Sequence, residues 1–377
     1  MSVDREAAGA APKGERELRS KTTDLVARIA LVTASILVSL ALLEVGYRLL
    51  RWGPEGLVRW PNLAHQRMGT GPGGEGCQYA YSAQIGWTSP PNCVSDSYSS
   101  DANGYRRSSP QASLAEPPIL VTGSSFAKGD EVKDDEAWPA YLQNMIGRKV
   151  LNAGVSGYAF DQTVLSTEQL VPKVKPLFVI ASFTPGDIQR TELRVAWSRE
   201  KPYFAVTDGQ LDLRNVPVPG RPGAPIPLPP LAEWLGRSAL ADLVVQRLGI
   251  QQGWYFSEVQ AVPRGTGETI ACRLMPRLAA LGVPVVVMAQ YSRGYWHANG
   301  PHGTAHHRAI RKVLGCAAAA GLIPFDLSDT LKAAVDARGA EALYGSDHHS
   351  ADGNRVVAEL VMRELVNRRL LTQTADR

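Results

Sequence analysis

Hydrophobic positions along the chain fall into three regimes. Residues 29–43 carry no charge and are mostly Ile, Leu, Val or Ala, and after Glu44 the run resumes as Val45-Gly46-Tyr47. Its length lies between a secretory signal core of about 7–15 apolar residues and a membrane helix of about 20. Residues 52–110 show no period and read as an irregular lead-in, with 69–76 flexible and Asp101-Ala102-Asn103-Gly104 rich in turn formers. From residue 118 onward, short apolar runs at 118–122, 150–155, 177–183, 283–290 and 323–327 alternate with amphipathic, helix-length segments at 138–146, 162–170, 266–281, 306–320 and 354–368. Such alternation predicts parallel strands joined by crossover helices. The expected fold is α/β, a three-layer α/β/α sandwich with a five-stranded parallel sheet of doubly wound, flavodoxin-like type. The alternation breaks at 187–258, a proline-rich insertion with one helical stretch near 231–248.

The flanks change the reading of the first run. Arg5, Lys13, Arg16, Arg19, Lys21 and Arg28 precede it, and Arg48 and Arg51 follow close enough to snorkel. These predict an uncleaved transmembrane signal anchor over 24–51 with its N-terminus inside, after a disordered cytoplasmic arm at 1–23. A cleaved signal ending near Ser39-Leu40-Ala41 is the alternative. The anchored reading places the main domain, 111–370 with its insertion at about 188–260, outside the cytoplasmic membrane. With 44% apolar and 20% charged residues and a net charge of +4 spread along the chain, composition speaks against disorder and against a nucleic-acid surface. Cys77, Cys93, Cys272 and Cys316 lack Cys-x-x-Cys spacing, and His302 and His306 have no carboxylate or cysteine to complete a site, so neither metal nor cofactor is expected. An extracytoplasmic lead-in is expected to be stapled by Cys77–Cys93, with Cys272 and Cys316 as buried thiols.

In an open parallel sheet, ligands bind beyond the carboxyl ends of the strands. The first strand runs into Gly123-Ser124-Ser125-Phe126, where a serine at a helix N-terminus meets free N–H groups suited to an oxyanion. The second runs into Asn152-Ala153-Gly154-Val155-Ser156-Gly157, whose last glycine admits close approach of a substrate. Before the last helix, Ser346-Asp347-His348-His349 offers imidazoles as general bases and a carboxylate to orient one.

In this order and spacing the segments resemble the blocks of the SGNH/GDSL hydrolase superfamily over about residues 100–370. Gly123, Ser125, Phe126 and Gly129 match the first block and imply Ser125 as nucleophile. Asn152, Gly154, Val155 and Gly157 match the second and imply Gly157 as an oxyanion donor beside Ser125. Gly129-Asp130-Glu131-Val132, Trp138-Pro139 and Asp161-Gln162 are similar to text in membrane-anchored bacterial members. Three positions depart from the pattern: Ser124 replaces an aspartate, Gly186 stands where an oxyanion asparagine is usual and offers only its backbone N–H, and the last block is irregular. Counting back from Gly353 selects His348 as base with Asp347 as the acid, while an Asp-x-His reading selects His349. The resemblance implies ester hydrolysis or acyl transfer on an acylated envelope carbohydrate or lipid. The altered blocks motivate the competing reading, a catalytically impaired module that binds envelope glycan or a partner protein.

Overall fold

The computed structural model describes residues 13–64, 77, 79–108, 116–197, 199–219, 228, 230–250, 254, 258–296 and 301–371. Residues 1–12 of the expected arm, the flexible stretch 69–76, and 222–227 and 229 of the proline-rich run lie outside the described residues. The chain divides into two compact units, 1–68 with 230–254, and 69–229 with 255–377.

The larger unit is built on five parallel strands, β1 (Ile119–Thr122), β2 (Val150–Asn152), β3 (Phe178–Phe183), β4 (Val285–Ala289) and β5 (Ile323–Asp326), in the order β5-β4-β3-β1-β2. Every residue of β1, β3 and β4 is buried. That is why these strands read as unbroken apolar runs, since a sheet covered on both faces needs apolar side chains on both. The helices that cover the sheet or carry the site include α1 (Ser125–Lys128), α2 (Trp138–Ile146), α3 (Phe160–Val174), α4 (Pro185–Arg190), α5 (Gly267–Ala279), α6 (Pro301–Ala319) and α7 (Ala351–Asn367). The step from β1 to β2 runs opposite in direction to the return from β2 to β3, so right-handed crossovers put α2 and α3 on opposite faces. The layers then fill: α7 packs on α2, and α5 on α3 and α6. The strand order reverses between β1 and β3, and their carboxyl ends therefore flank the crevice.

The lead-in is more ordered than its sequence suggests. Ala80–Ser82 and Gly86–Thr88 form a hairpin, and the Arg106 N–H donates to the Asn152 carbonyl at the edge of the sheet. Cys77 and Cys93 are disulfide-bonded. Cys272 and Cys316, expected as thiols, are bonded as well, because α5 and α6 pack side by side with the two Cα atoms 5.2 Å apart.

The smaller unit joins the N-terminal helix expected as the anchor (Lys13–Trp52) to two insertion helices, Pro230–Leu235 and Ala239–Leu248. The anchor helix starts within the expected arm, because Glu15, Arg16, Leu18 and Lys21 are good helix formers and an existing helix extends at little cost. Its segment Asp24–Trp52 is long and apolar enough to cross a membrane, and residues 24–43 are exposed in the described chain. The single helical stretch expected near 231–248 is broken between Leu235 and Ala239, where the Ser238 hydroxyl caps the second helix by accepting from Ala241 N–H at 3.1 Å.

Candidate active site

Ser125 opens α1 directly beyond β1, with Ser124 as its N-cap. His348 comes from the loop ahead of α7, and its Nε2 lies 2.8 Å from Ser125 Oγ. Its Nδ1 lies 2.9 Å from a carboxylate oxygen of Glu131. With the proton on Nδ1, the imidazole donates to Glu131 and leaves the Nε2 lone pair to accept from the serine hydroxyl. The three side chains thus form a continuous serine, imidazole and carboxylate relay.

The acid differs from the sequence expectation. Asp347 is exposed, and its main-chain carbonyl accepts from Arg293 N–H. Glu131 takes the place instead, and Gly345 explains how. An acid three residues before His348 would stand at Gly345, where a Cβ would lie 2.5 Å from Glu131 Oε2. The bare glycine therefore leaves the space that the Glu131 carboxylate fills. Ser346 donates to that carboxylate twice, from its N–H at 2.8 Å and its hydroxyl at 2.5 Å. Burial raises the Glu131 carboxyl, but the hydrogen bonds from His348 and Ser346 together outweigh it and hold the group below its ordinary range. Glu131 has φ 71°, a left-handed backbone that costs a non-glycine residue about 1 kcal/mol or more. Arg106 braces this loop by donating to the carbonyls of Lys128, Gly129 and Val132 and to Asp134. The signal in the sequence is Gly129-Asp130-Glu131, a pair of carboxylates close behind the nucleophile.

His349, the alternative base, is 1% exposed and its two ring nitrogens have no hydrogen-bond partner among the described residues. It packs between Phe126 and Tyr344, with ring centroids 5.3 and 4.7 Å away. Burial, with the neighbouring His348 charge, pushes its pKa down to about 3. Between that value and the ordinary 6.5 the unfolded chain binds a proton that the folded chain refuses, so this contribution is intact above pH 6.5 and is lost as pH falls toward 3. Urea unfolding of the detergent-solubilised chain is expected to show wild type losing about 2 kcal/mol more than His349→Phe between pH 7 and 5. Equal losses in the two proteins would exclude His349 as the acid-labile group.

The expected oxyanion donors follow three neighbouring strands, Gly157 after β2, Ser125 after β1 and Gly186 after β3. Among the described residues none of their N–H groups donates to a protein acceptor. Gly157 has φ 77°, and a Cβ there would lie 2.9 Å from the Trp197 ring, so the indole rests on the glycine backbone. Trp197 Nε1 donates to the Gly157 carbonyl at 3.2 Å, which ties the loop in place. Beside Gly186 stands the Arg190 guanidinium, which also pairs with Asp187 and donates to the Tyr158 carbonyl.

Ser124 does not leave a broken contact. The Asp187 carboxylate accepts from the Ser124 hydroxyl and from Thr184 N–H, each at 2.8 Å, so hydroxyl and carboxylate bridge the ends of β1 and β3. Beside the acid loop lies a cavity of about 370 Å³, lined by Tyr79, Tyr98, Lys128, Asp130, Glu131 and Ser156 among others. Lys128 Nζ donates there to Ser156 Oγ, which donates in turn to Asp130.

No protein-family model matches the chain, and no curated protein sequence matches it. Among solved structures it is similar to TesA, at 14% identity over 67% of this chain and 99% of that one, with a TM-score of 0.39. It is also similar to the lipase/acylhydrolase from Enterococcus faecalis, at 15% identity over 67% of this chain and 97% of that one, with a TM-score of 0.36. A third is Axe2, an acetylxylan esterase from Geobacillus stearothermophilus, at 15% identity over 68% of this chain and 95% of that one, with a TM-score of 0.39.

Proposed function

We propose that this chain is a membrane-anchored serine hydrolase of SGNH/GDSL type, acting on an ester of an acylated envelope carbohydrate or lipid on the outer side of the cytoplasmic membrane. The observation that carries the reading is the relay, with 2.8 Å from Ser125 Oγ to His348 Nε2 and 2.9 Å from Nδ1 to Glu131. His348 takes the hydroxyl proton as Ser125 attacks the ester carbonyl, and the N–H groups of Ser125, Gly157 and Gly186 receive the charge that develops on the carbonyl oxygen. Collapse expels the alcohol, which takes the proton from His348 and leaves an acyl-serine. Water then gives hydrolysis; a sugar hydroxyl gives transfer. Glu131 stays ionised throughout, fixing the tautomer and stabilising the imidazolium.

Loss of one oxyanion donor costs about 3 kcal/mol of transition-state stabilisation. Arg190, whose Nη1 would stand 3.1 Å from a Cβ on Gly186, is a charged donor beside the position that lacks the asparagine. The impaired-module reading draws partly on the irregular last block, and the Glu131 carboxylate 2.9 Å from His348 Nδ1 supports an intact acid against it. Both disulfides favour an oxidising compartment. Labelling of the full-length chain by a fluorophosphonate probe is expected in wild type and absent in Ser125→Ala. Equal labelling of the two would overturn the proposal.

A further inference from the structure

Glu44 interrupts the apolar run of the anchor helix, and its partners carry information about depth. If the run spans the membrane from Ile29, Glu44 lies 15 residues on, about 22 Å along the helix axis, inside a hydrocarbon layer of about 30 Å. A carboxylate at that depth is costly unless donors meet it there. They do: Glu44 accepts from Ala239 N–H at 2.7 Å, Leu240 N–H at 2.9 Å and the Ser238 hydroxyl at 2.9 Å. Arg48 donates to it at 2.6 Å, and to the carbonyls of Gly56, Arg59 and Arg237. The first turn of the insertion helix Ala239–Leu248 is therefore fixed at the level of Glu44, below the lipid headgroups.

From this we infer that the two insertion helices, Pro230–Leu235 and Ala239–Leu248, are seated in the bilayer leaflet far from Arg28, in contact with acyl chains; the inference rests on reading the apolar run as the membrane span. The surface of these helices fits that occupant. Leu240, Val244 and Leu248 recur every four residues on one stripe, with Val244 52% and Leu248 65% exposed. In the preceding helix Leu231 and Trp234 are three apart and are 57% and 75% exposed. In water these side chains would be uncovered, whereas lipid that already surrounds the anchor helix covers them without any further partner. Arg237 and Arg247 are exposed on the same segments and Arg59 close by, with stems long enough to reach headgroups. Trp60 lies under Arg48, with the guanidinium 3.7 Å from its ring centroid, an aromatic placement typical of a membrane interface.

The native cysteines are all paired, so a single introduced thiol takes a label alone. Val244→Cys, Leu248→Cys, Leu37→Cys and Gln210→Cys of the full chain, each carrying an NBD fluorophore, are compared in vesicles of phosphatidylcholine with phosphatidylglycerol. Labels at 244 and 248 are expected to be quenched by lipids spin-labelled high on the acyl chain and shielded from aqueous iodide, that at 37 by deeper spin labels, and that at 210 by iodide alone. Iodide quenching at 244 and 248 equal to that at 210, with 37 still in lipid, would overturn the inference and leave the anchor standing. Iodide quenching at 37 would overturn the anchor, and the inference with it.

Discussion

Replacing His348 with alanine is expected to lower Ser125-dependent ester turnover a thousandfold or more, while His349→Ala at pH 7 leaves the rate of the folded protein within a few-fold of wild type. The two residues are neighbours on one loop, yet only His348 reaches the serine, at 2.8 Å. Without it the hydroxyl has no base and the leaving alcohol no acid, and deletions of this kind in serine enzymes remove about three or more decades. His349 is enclosed by Phe126 and Tyr344, with its ring nitrogens bonded to nothing among the described residues, so its removal affects packing. Initial rates on a chromogenic ester, normalised to folded protein, make the comparison. A greater loss in His349→Ala would reverse the assignment.

Glu131→Gln is expected to cut kcat by about a hundred- to ten-thousandfold, with Asp347→Asn near wild type. The amide keeps the shape of the side chain but has no charge with which to stabilise an imidazolium, and its NH2 can favour the wrong tautomer. Since the substitution touches no substrate group in the proposed mechanism, the loss should fall on kcat more than on KM. Asp347, exposed while Glu131 meets the His348 Nδ1, gives the control. Should Asp347→Asn prove the more damaging, the acid has been misassigned.

The sheet was legible because strands covered on both faces must be apolar throughout, so the runs near 119, 178 and 285 stand out without any alternation, and the shorter, partly exposed edge runs near 150 and 323 follow from their place between helix-length segments. Ser125 and His348 were legible by their spacing from Gly123, Gly129 and Gly353. Glu131 was not, because a carboxylate's role depends on which imidazole it meets, and that meeting joins residues 217 apart in the chain. The insertion helices were misjudged for a related reason. Read alone, the proline-rich segment around them marks an excursion from the main α/β unit, but the group that accepts from the Ala239 and Leu240 N–H is the Glu44 carboxylate, 195 and 196 residues earlier on the N-terminal helix.

Where base and acid share one loop, an imidazole keeps its orientation even when that loop swings away from the serine. Here the nucleophile opens α1 and Glu131 lies just past its end, while His348 arrives from the loop ahead of α7 with Ser346 beside it. Lifting residues 345–350 would break the bond to Ser125, the bond to Glu131 and both Ser346 contacts in a single movement. Every contact of the relay therefore crosses between residues 125–131 and residues 346–348, so the geometry of the serine depends on both segments at once.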